Sequence, residues 1–389
     1  MPCTDEYIDT QHEGENAMRT EVIDRFYRVF TYQDVDRVPD VEFGYWPQTI
    51  RRWLAEGLPL QLAPEETNDM FSRRVDDFFG FDRQGHGIEM DIDMHPPFQE
   101  EVLERRSESV IMRDESGVIA ERYLNDADQS SIPRFIEFPV KVSQDWERLK
   151  ERYRLDDPLR TVSEQEIACA RQAQAEGKAI HVFFTGFYGQ LRNWMGMENL
   201  SYAFYDNPQM VHDMVAHWAE LCARQIERLP ADILVDRVNW WEDMASKNGP
   251  LVSPALFRQL LQPGYHRVMT AAKARGCALG MVDCDGNPHD IVANWLEEGV
   301  NIMFPLEVAA GVDPYAWRAE FGMELRLRGG IAKRPLVEGG KAIDRELERI
   351  GPLLEQGGCI PHLDHLVPPD IPYAHYCAYL DKKRKLIGK

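Results

Sequence analysis

No stretch of this chain approaches the ~18 uninterrupted apolar residues that a membrane span requires. The opening residues, Met1-Pro2-Cys3-Thr4-Asp5-Glu6, are acidic and form no apolar h-region, so no secretory leader is expected. No G-x-G-x-x-G follows an early strand, which removes the best support for a dinucleotide-binding doubly wound sheet. The seven cysteines (Cys3, Cys169, Cys222, Cys277, Cys284, Cys359 and Cys377) stand singly, without a C-x-x-C pair. Reduced thiols in a cytoplasmic protein are expected. Basic residues form no long stripe apart from Lys382-Lys383-Arg384-Lys385, and a formal charge of -21 repels phosphate backbones. Membrane and nucleic acid drop out as partners. A small-molecule substrate remains, and homo-oligomer formation stays open.

What is present suits one large domain or two medium ones: 389 residues, 44% of them hydrophobic. Residues 1–36 read as a polar tail and an amphipathic helix, with Val22, Ile23, Phe26, Val29 and Phe30 at helical spacing. Residues 37–389 read as the main domain. It opens with a strand over Val38–Trp46, then a helix from about Gln48 to Gly57. Two alternating runs joined by a Gly-containing turn predict a β-hairpin over Ser109–Arg122, an insertion spanning about 107–125. From about residue 140 short apolar strands alternate with helices. The strands are Ala179–Phe184, Ile233–Val238, Ala278–Asp283, Asn301–Leu306, Leu325–Gly330 and Cys359–Asp364. The helices include Pro208–Leu229, Pro254–Arg275, Pro288–Glu298, Pro314–Phe321 and Lys341–Gln356, several opening with proline near the first turn. Sustained alternation means an α/β fold with a parallel sheet. The expected form is a single distorted (β/α)8 barrel of the TIM type, with an N-terminal helical extension and the inserted hairpin.

In such a barrel the strand C-termini converge, so chemistry is sought there. Those ends carry Glu42 and Trp46, Thr185 and Tyr188, then Asn239, Trp240, Glu242 and Asp243. Asp283, Cys284 and Asp285 follow, then Glu307, Arg326 with Arg328, and His362, Asp364 and His365. Asp283 and Asp285 alternate with Cys284, which puts both carboxylates on one strand face and the thiol on the other as a packing residue. Two carboxylates on one rigid strand bind a metal, share a proton or grip a cation. Alternatively, one caps the helix near Pro288 and the other pairs with an arginine. Asp283-Cys284-Asp285-Gly286-Asn287 is no calcium loop, because Pro288 and Asn294 stand where that loop needs Gly and Glu. Arg326 and Arg328 share a face and suit a substrate carboxylate, or keep Asp283 or Asp364 charged. Trp240 and Trp241 beside Glu242 suggest an aromatic wall with an acidic floor, although neighbours on a strand point to opposite sides and only one can line a pocket.

The segments Trp241-Glu242-Asp243-Met244, Val282-Asp283-Cys284-Asp285-Gly286-Asn287, Pro305-Leu306-Glu307, Gly329-Gly330-Ile331-Ala332-Lys333 and Ile360-Pro361-His362-Leu363-Asp364-His365 together resemble the uroporphyrinogen decarboxylase superfamily. The resemblance runs from about residue 37 onward and implies the barrel. It also implies one of two chemistries. True uroporphyrinogen decarboxylases carry an N-terminal P-x-W-x-M-R-Q-A-G-R motif, which the matching stretch Val41 to Arg52 lacks. The other branch resembles corrinoid-dependent methyltransferases, whose zinc is held by His-x-Cys and a distant Cys. Those positions fall here on Asp283-Cys284-Asp285 and about Asp364, so carboxylates replace the thiolates and a harder ion is implied.

The resemblance therefore implies a methyltransferase or demethylase passing a methyl group from a small methylated substrate to a corrinoid protein or a thiol. Asp283, Asp285, Asp364 and Glu242 are its candidate catalytic residues. Trp46, Tyr188, Asn239, Trp240, Arg326, Arg328 and His365 are the substrate-binding candidates. Asp283, Asp285, Asp364 and His362 are the candidate ligands of a divalent metal, zinc among the candidates, and tetrahedral zinc on Cys284, His362 and His365 is a further arrangement. A carboxy-lyase acting on a carboxylated substrate is the alternative reading, and a non-catalytic subunit that binds a corrinoid partner is the third.

Overall fold

The computed structural model describes residues 21–61, 68–124 and 132–389. The expected polar tail over 1–20 lies outside them. Seven strands form one parallel sheet: β1 (His86–Ile88), β6 (Ile180–Thr185), β7 (Arg237–Trp241), β10 (Leu279–Asp283), β11 (Ile302–Phe304), β12 (Arg326–Arg328) and β13 (Cys359–Ile360), neighbours in that order. Between β1 and β6 are inserted β2 (Glu101–Arg105), β3 (Ser109–Arg113), β4 (Ile119–Tyr123) and β5 (Arg134–Glu137), an antiparallel sheet of which the expected hairpin is the central pair. A short ribbon, β8 (Ala245–Ser246) and β9 (Gly249–Pro250), follows β7. The strand order is that of a TIM-type α/β fold.

Helices connect the parallel strands and start where the sequence supplies caps. Asn207 accepts from Met210 N at 3.3 Å ahead of Pro208, and Asp313 accepts from Tyr315 N at 2.9 Å ahead of Pro314. The segment after Pro254 is not the single α-helix its periodicity predicts. Pro263 has no N–H to donate, and just before it Gln262 N reaches back five residues to Phe257 O, opening a π turn over Phe257–Leu261.

The predicted first strand is corrected too. Val38–Trp46 runs extended but makes only one parallel bridge, Tyr45 with Val367. Between its few backbone bonds, side chains complete the pairing. Glu42 Oε2, and no backbone carbonyl of that segment, accepts from Leu363 N at 3.1 Å. The sheet edge is β1 instead, three residues whose Gly87 leaves room for His181 and whose brevity hides it in the sequence.

Strand residues alternate between two cores. Phe184, Trp240, Val282 and Cys284 face the helices. Leu279, Met281, Ile302, Phe304 and Ile360 face inward, against Phe26, Val29 and Phe30 of the helix Arg25–Phe30. That helix, capped by Asp24 on Tyr27 N at 3.1 Å, is packed under the N-terminal ends of the strands, where Arg326 Nε donates to Phe30 O at 3.0 Å. The cysteines differ from expectation at one position. Cys169, half-buried on the helix Glu164–Ala175, is disulfide-bonded, whereas Cys222, Cys277, Cys284 and Cys359 are free and sealed in the core.

The basic cluster near the C-terminus is not a solvated tail. Lys383 is fully buried, its Nζ 2.6 Å from Glu42 Oε1, 3.1 Å from Asp40 Oδ1 and 2.9 Å from Val41 O. Asp40 Oδ2 also meets Arg384 Nε at 2.8 Å and Lys389 Nζ at 2.9 Å. Burial alone would raise the Asp40 carboxyl, but Lys383 and the other cations outweigh it and hold it at about 2. Removing one partner of such a buried set leaves uncompensated charge. Lys383→Met is therefore expected to destabilise the fold by about 3–5 kcal/mol, whereas Lys385→Met on the exposed side should change stability by less than about 0.5 kcal/mol. Urea unfolding of the two variants checks this, and equal midpoints would contradict it.

Candidate active site

Backbone register sets Thr185, Trp241, Asp283 and Phe304 side by side across β6, β7, β10 and β11. All four are inward-facing, at the C-terminal ends of their strands. Below this row lie Phe183, Asn239 and Met281, in the same register one step down. Phe183 is half exposed, so the space above it is open.

Asp283 is the central group. Burial pushes its carboxyl up to about 7, and the charges of Asp285 and Asp243 add to this while Arg328 and His365 oppose it. Arg328 lies beneath, 5% exposed, with its guanidinium 4.3 Å from the Phe304 ring centre and 5.2 Å from that of Phe26. Its Nη1 points at the Met281 sulfur, 3.3 Å away, and its Nε has no hydrogen-bond partner among the described residues. Burial, then the like charge of Arg237, bring Arg328 down to about 9. Arg237, buried over Phe26 at 4.3 Å, is brought by burial to about 10.

Beside Asp283, Asp285 Oδ2 meets His365 Nε2 at 3.2 Å. Burial lowers the imidazole, but the hydrogen bond and charge of Asp285 outweigh it and the net shift is upward. His365 stacks on Trp46 with ring centres 6.2 Å apart and meets Phe43 edge-on at 5.5 Å. On the opposite side Arg192 lies 4.8 Å over Trp241 and donates to Asp243 Oδ2 at 2.7 Å. Asp243 and Leu306 hold positive φ, +47° and +63°, strained positions for residues with a side chain. Lys333 Nζ stands 3.8 Å from both Glu307 Oε1 and Asp364 Oδ1.

The description uroporphyrinogen decarboxylase (URO-D) fits residues 125–386 of this chain as a family model. The chain belongs to that family. No curated protein matches it. Among solved structures, a methyltransferase from Methanosarcina mazei is similar, with a TM-score of 0.56 and 13% identity over 92% of this chain and 98% of that one. At this identity the likeness carries the fold alone. No described helix is long and apolar enough to cross a membrane.

The URO-D site gathers only part of the expected set. Asp283, Asp285, Trp46 and His365 gather at the inner strand ends, with Asn239 and the Arg328 guanidinium one level below and Asp364 behind Lys333. Trp240 is turned the other way, buried among Phe184, Phe187 and Tyr265, and Trp241 takes the inward place. Tyr188 is buried against Phe204 in the helix layer. Arg326 shares the face of Arg328 but lies two residues, about 6.6 Å, lower and is spent on the N-terminal helix. Glu242 is sealed beneath the start of the helix Phe187–Met195. It accepts from Phe187 N at 2.7 Å, Gly189 N at 2.8 Å and the Tyr265 hydroxyl, with no room for a side chain at Gly186. Burial pushes its carboxyl up to about 7.

His362 is fully buried, its Nδ1 2.6 Å from Leu363 O, and burial holds the ring neutral. The four candidate metal ligands are thus dispersed: Asp285 on His365, Asp364 toward Lys333, and His362 below. Among the described residues no three His, Cys, Asp or Glu side chains converge to hold a metal ion, and Cys284 faces the helices. Phe43, Phe183 and Arg192 went unnoticed in the sequence. Alternation along β6 and β7 was the signal for Phe183 and Trp241, while Phe43 and Arg192 had none.

Asp283 is expected to titrate with a midpoint of about 7. Carbon-13 spectra of aspartate-labelled protein should show that midpoint fall in Asp285→Asn, where a like charge is gone, and rise in Arg328→Met, where the opposing cation is gone. Movement in the reverse sense would remove these charges as its causes.

Proposed function

We propose that this URO-D family protein is a methyltransferase, moving a methyl group from a small methylated compound to a corrinoid held by a partner protein. The observation that carries the reading is Asp283, a carboxyl held near 7 between aromatic walls with a buried cation beneath. When a methyl group leaves oxygen or nitrogen, the bonding electron pair stays on that atom, which then needs a proton. An acid near 7 is still about half loaded at neutral pH and gives its proton up readily. Asp283 is that acid. The reduced corrinoid, when its carrier docks, supplies the nucleophile that takes the methyl group.

The chain's other residues orient and shield. Trp46 and Phe43 on one side and Trp241 and Phe183 on the other hold the substrate's apolar or methylated part and displace water around it. The Asp285–His365 pair holds a second proton next to Asp283 and reloads it. No step is routed through a metal, since the donor set is dispersed. The reading takes the sheet as closed into a barrel. Residues 40–46 are its closing segment, bonded on one side to Val367 N through Gly44 O (2.9 Å) and on the other to Asp82 N through Asp40 O (2.9 Å). The methyltransferase of similar fold supports the choice of reaction.

The test is formation of methylcobalamin from cob(I)alamin, followed by its visible spectrum, across a panel of methyl ethers and methylated amines. With an active donor the rate should be flat below pH 7 and fall above it, as Asp283 loses its proton. Asp283→Asn should be slower by about 10²–10⁴-fold while melting like the parent. A panel with no active donor, or a variant as fast as the parent, would sink the reading.

A further inference from the structure

Arg328 is a cation without a counterion. No carboxylate lies within ion-pair distance of it among the described residues, a thioether occupies the place of its acceptor, and its Nε is unpaired. Arg237 worsens the situation by repulsion. A buried guanidinium in this condition is costly unless an anion reaches it. Burial leaves only 5% of the residue exposed; Met281, which its Nη1 faces, is paired in register with Asn239, and the Asn239 amide also lacks a partner for its oxygen. An amide so placed has its N–H free to turn toward an anion as well.

We infer that Arg328 and Asn239 form a seat for a carboxylate or similar planar anion, and that filling this seat loads Asp283 with its proton. The second half follows from the charges around Asp283. Asp285 on its own strand's continuation and Asp243 beyond β7 disfavour its ionised form. Arg328 on β12 and His365 beyond β13 favour it. An anion on Arg328 cancels the cation nearest to the floor and leaves the two like charges less opposed, so the carboxyl holds its proton more tightly. A substrate bearing an anion would thus arm the acid that serves its own reaction. That this anion belongs to the methyl donor rests on the reading above; the seat itself does not.

The experiment is calorimetric titration of the full chain with acetate and benzoate, and with benzamide as the neutral counterpart, in buffers of different ionisation enthalpy. Neither corrinoid nor turnover is needed, so failure here is separable from failure of methyl transfer. Benzoate should bind at least ten-fold more tightly than benzamide, and at pH 7 its binding should take up as much as about half a proton. Asp283→Asn should keep the binding and lose the uptake. Arg328→Met should lose the preference for the anion at least ten-fold, with Arg328→Lys intermediate, each compared at equal helicity and melting temperature. No preference for either carboxylate over benzamide, or a preference that survives in Arg328→Met, would overturn the seat. Binding without proton uptake in the parent would overturn the coupling.

Discussion

The buried ammonium of Lys383 holds the two ends of the described chain together. Two carboxylates two residues apart on an extended segment, Asp40 and Glu42, are drawn to one charge from the last helix, and the segment between them and Trp46 is fixed as a result. Phe43 and Trp46 stand on that segment, and His365 stacks against both. The aromatic side of the site therefore depends on an ion pair made by the residues that lead into it. The cost of burying these charges is offset by the direct contacts between the ammonium and the two carboxylates.

The inner face of the sheet is zoned by charge. Arginines occupy its lower and middle levels, Arg237 and Arg328, and carboxylates occupy its rim, Asp243, Asp283 and Asp285. Neither zone is neutralised by close contact with the other, and the row containing Asp283 lies at their boundary. A carboxyl at such a boundary is tuned from both sides, so modest changes in either zone shift its protonation. Two strained residues, Asp243 and Leu306, sit one step above that row, as is common where a backbone is bent to aim side chains.

Much of the scaffold was legible from periodicity and caps. The helices after Asn207 and Asp313 begin where proline and a capping side chain meet, and the inserted hairpin is where alternation and its turn put it. What alternation cannot convey is depth and pairing partner. It assigned Arg326 and Arg328 to one face correctly, yet only packing shows that the lower one is taken by Phe30. It also allowed only one of Trp240 and Trp241 inside without saying which. The Lys383 cluster was unreadable because its partners lie more than 340 residues earlier, and a basic run near a terminus ordinarily faces water. A three-residue strand such as His86–Ile88 carries too few positions for any period to show.

In the barrel reading, the helix Arg25–Phe30, packed beneath the strands, makes the inner space a cul-de-sac, and everything that enters leaves by the same door. If a carrier protein presents its corrinoid at that door, it covers it. Substrate must then be aboard before the carrier arrives, and the demethylated product must wait until the carrier has gone, which gives the reaction a compulsory order of arrivals and departures.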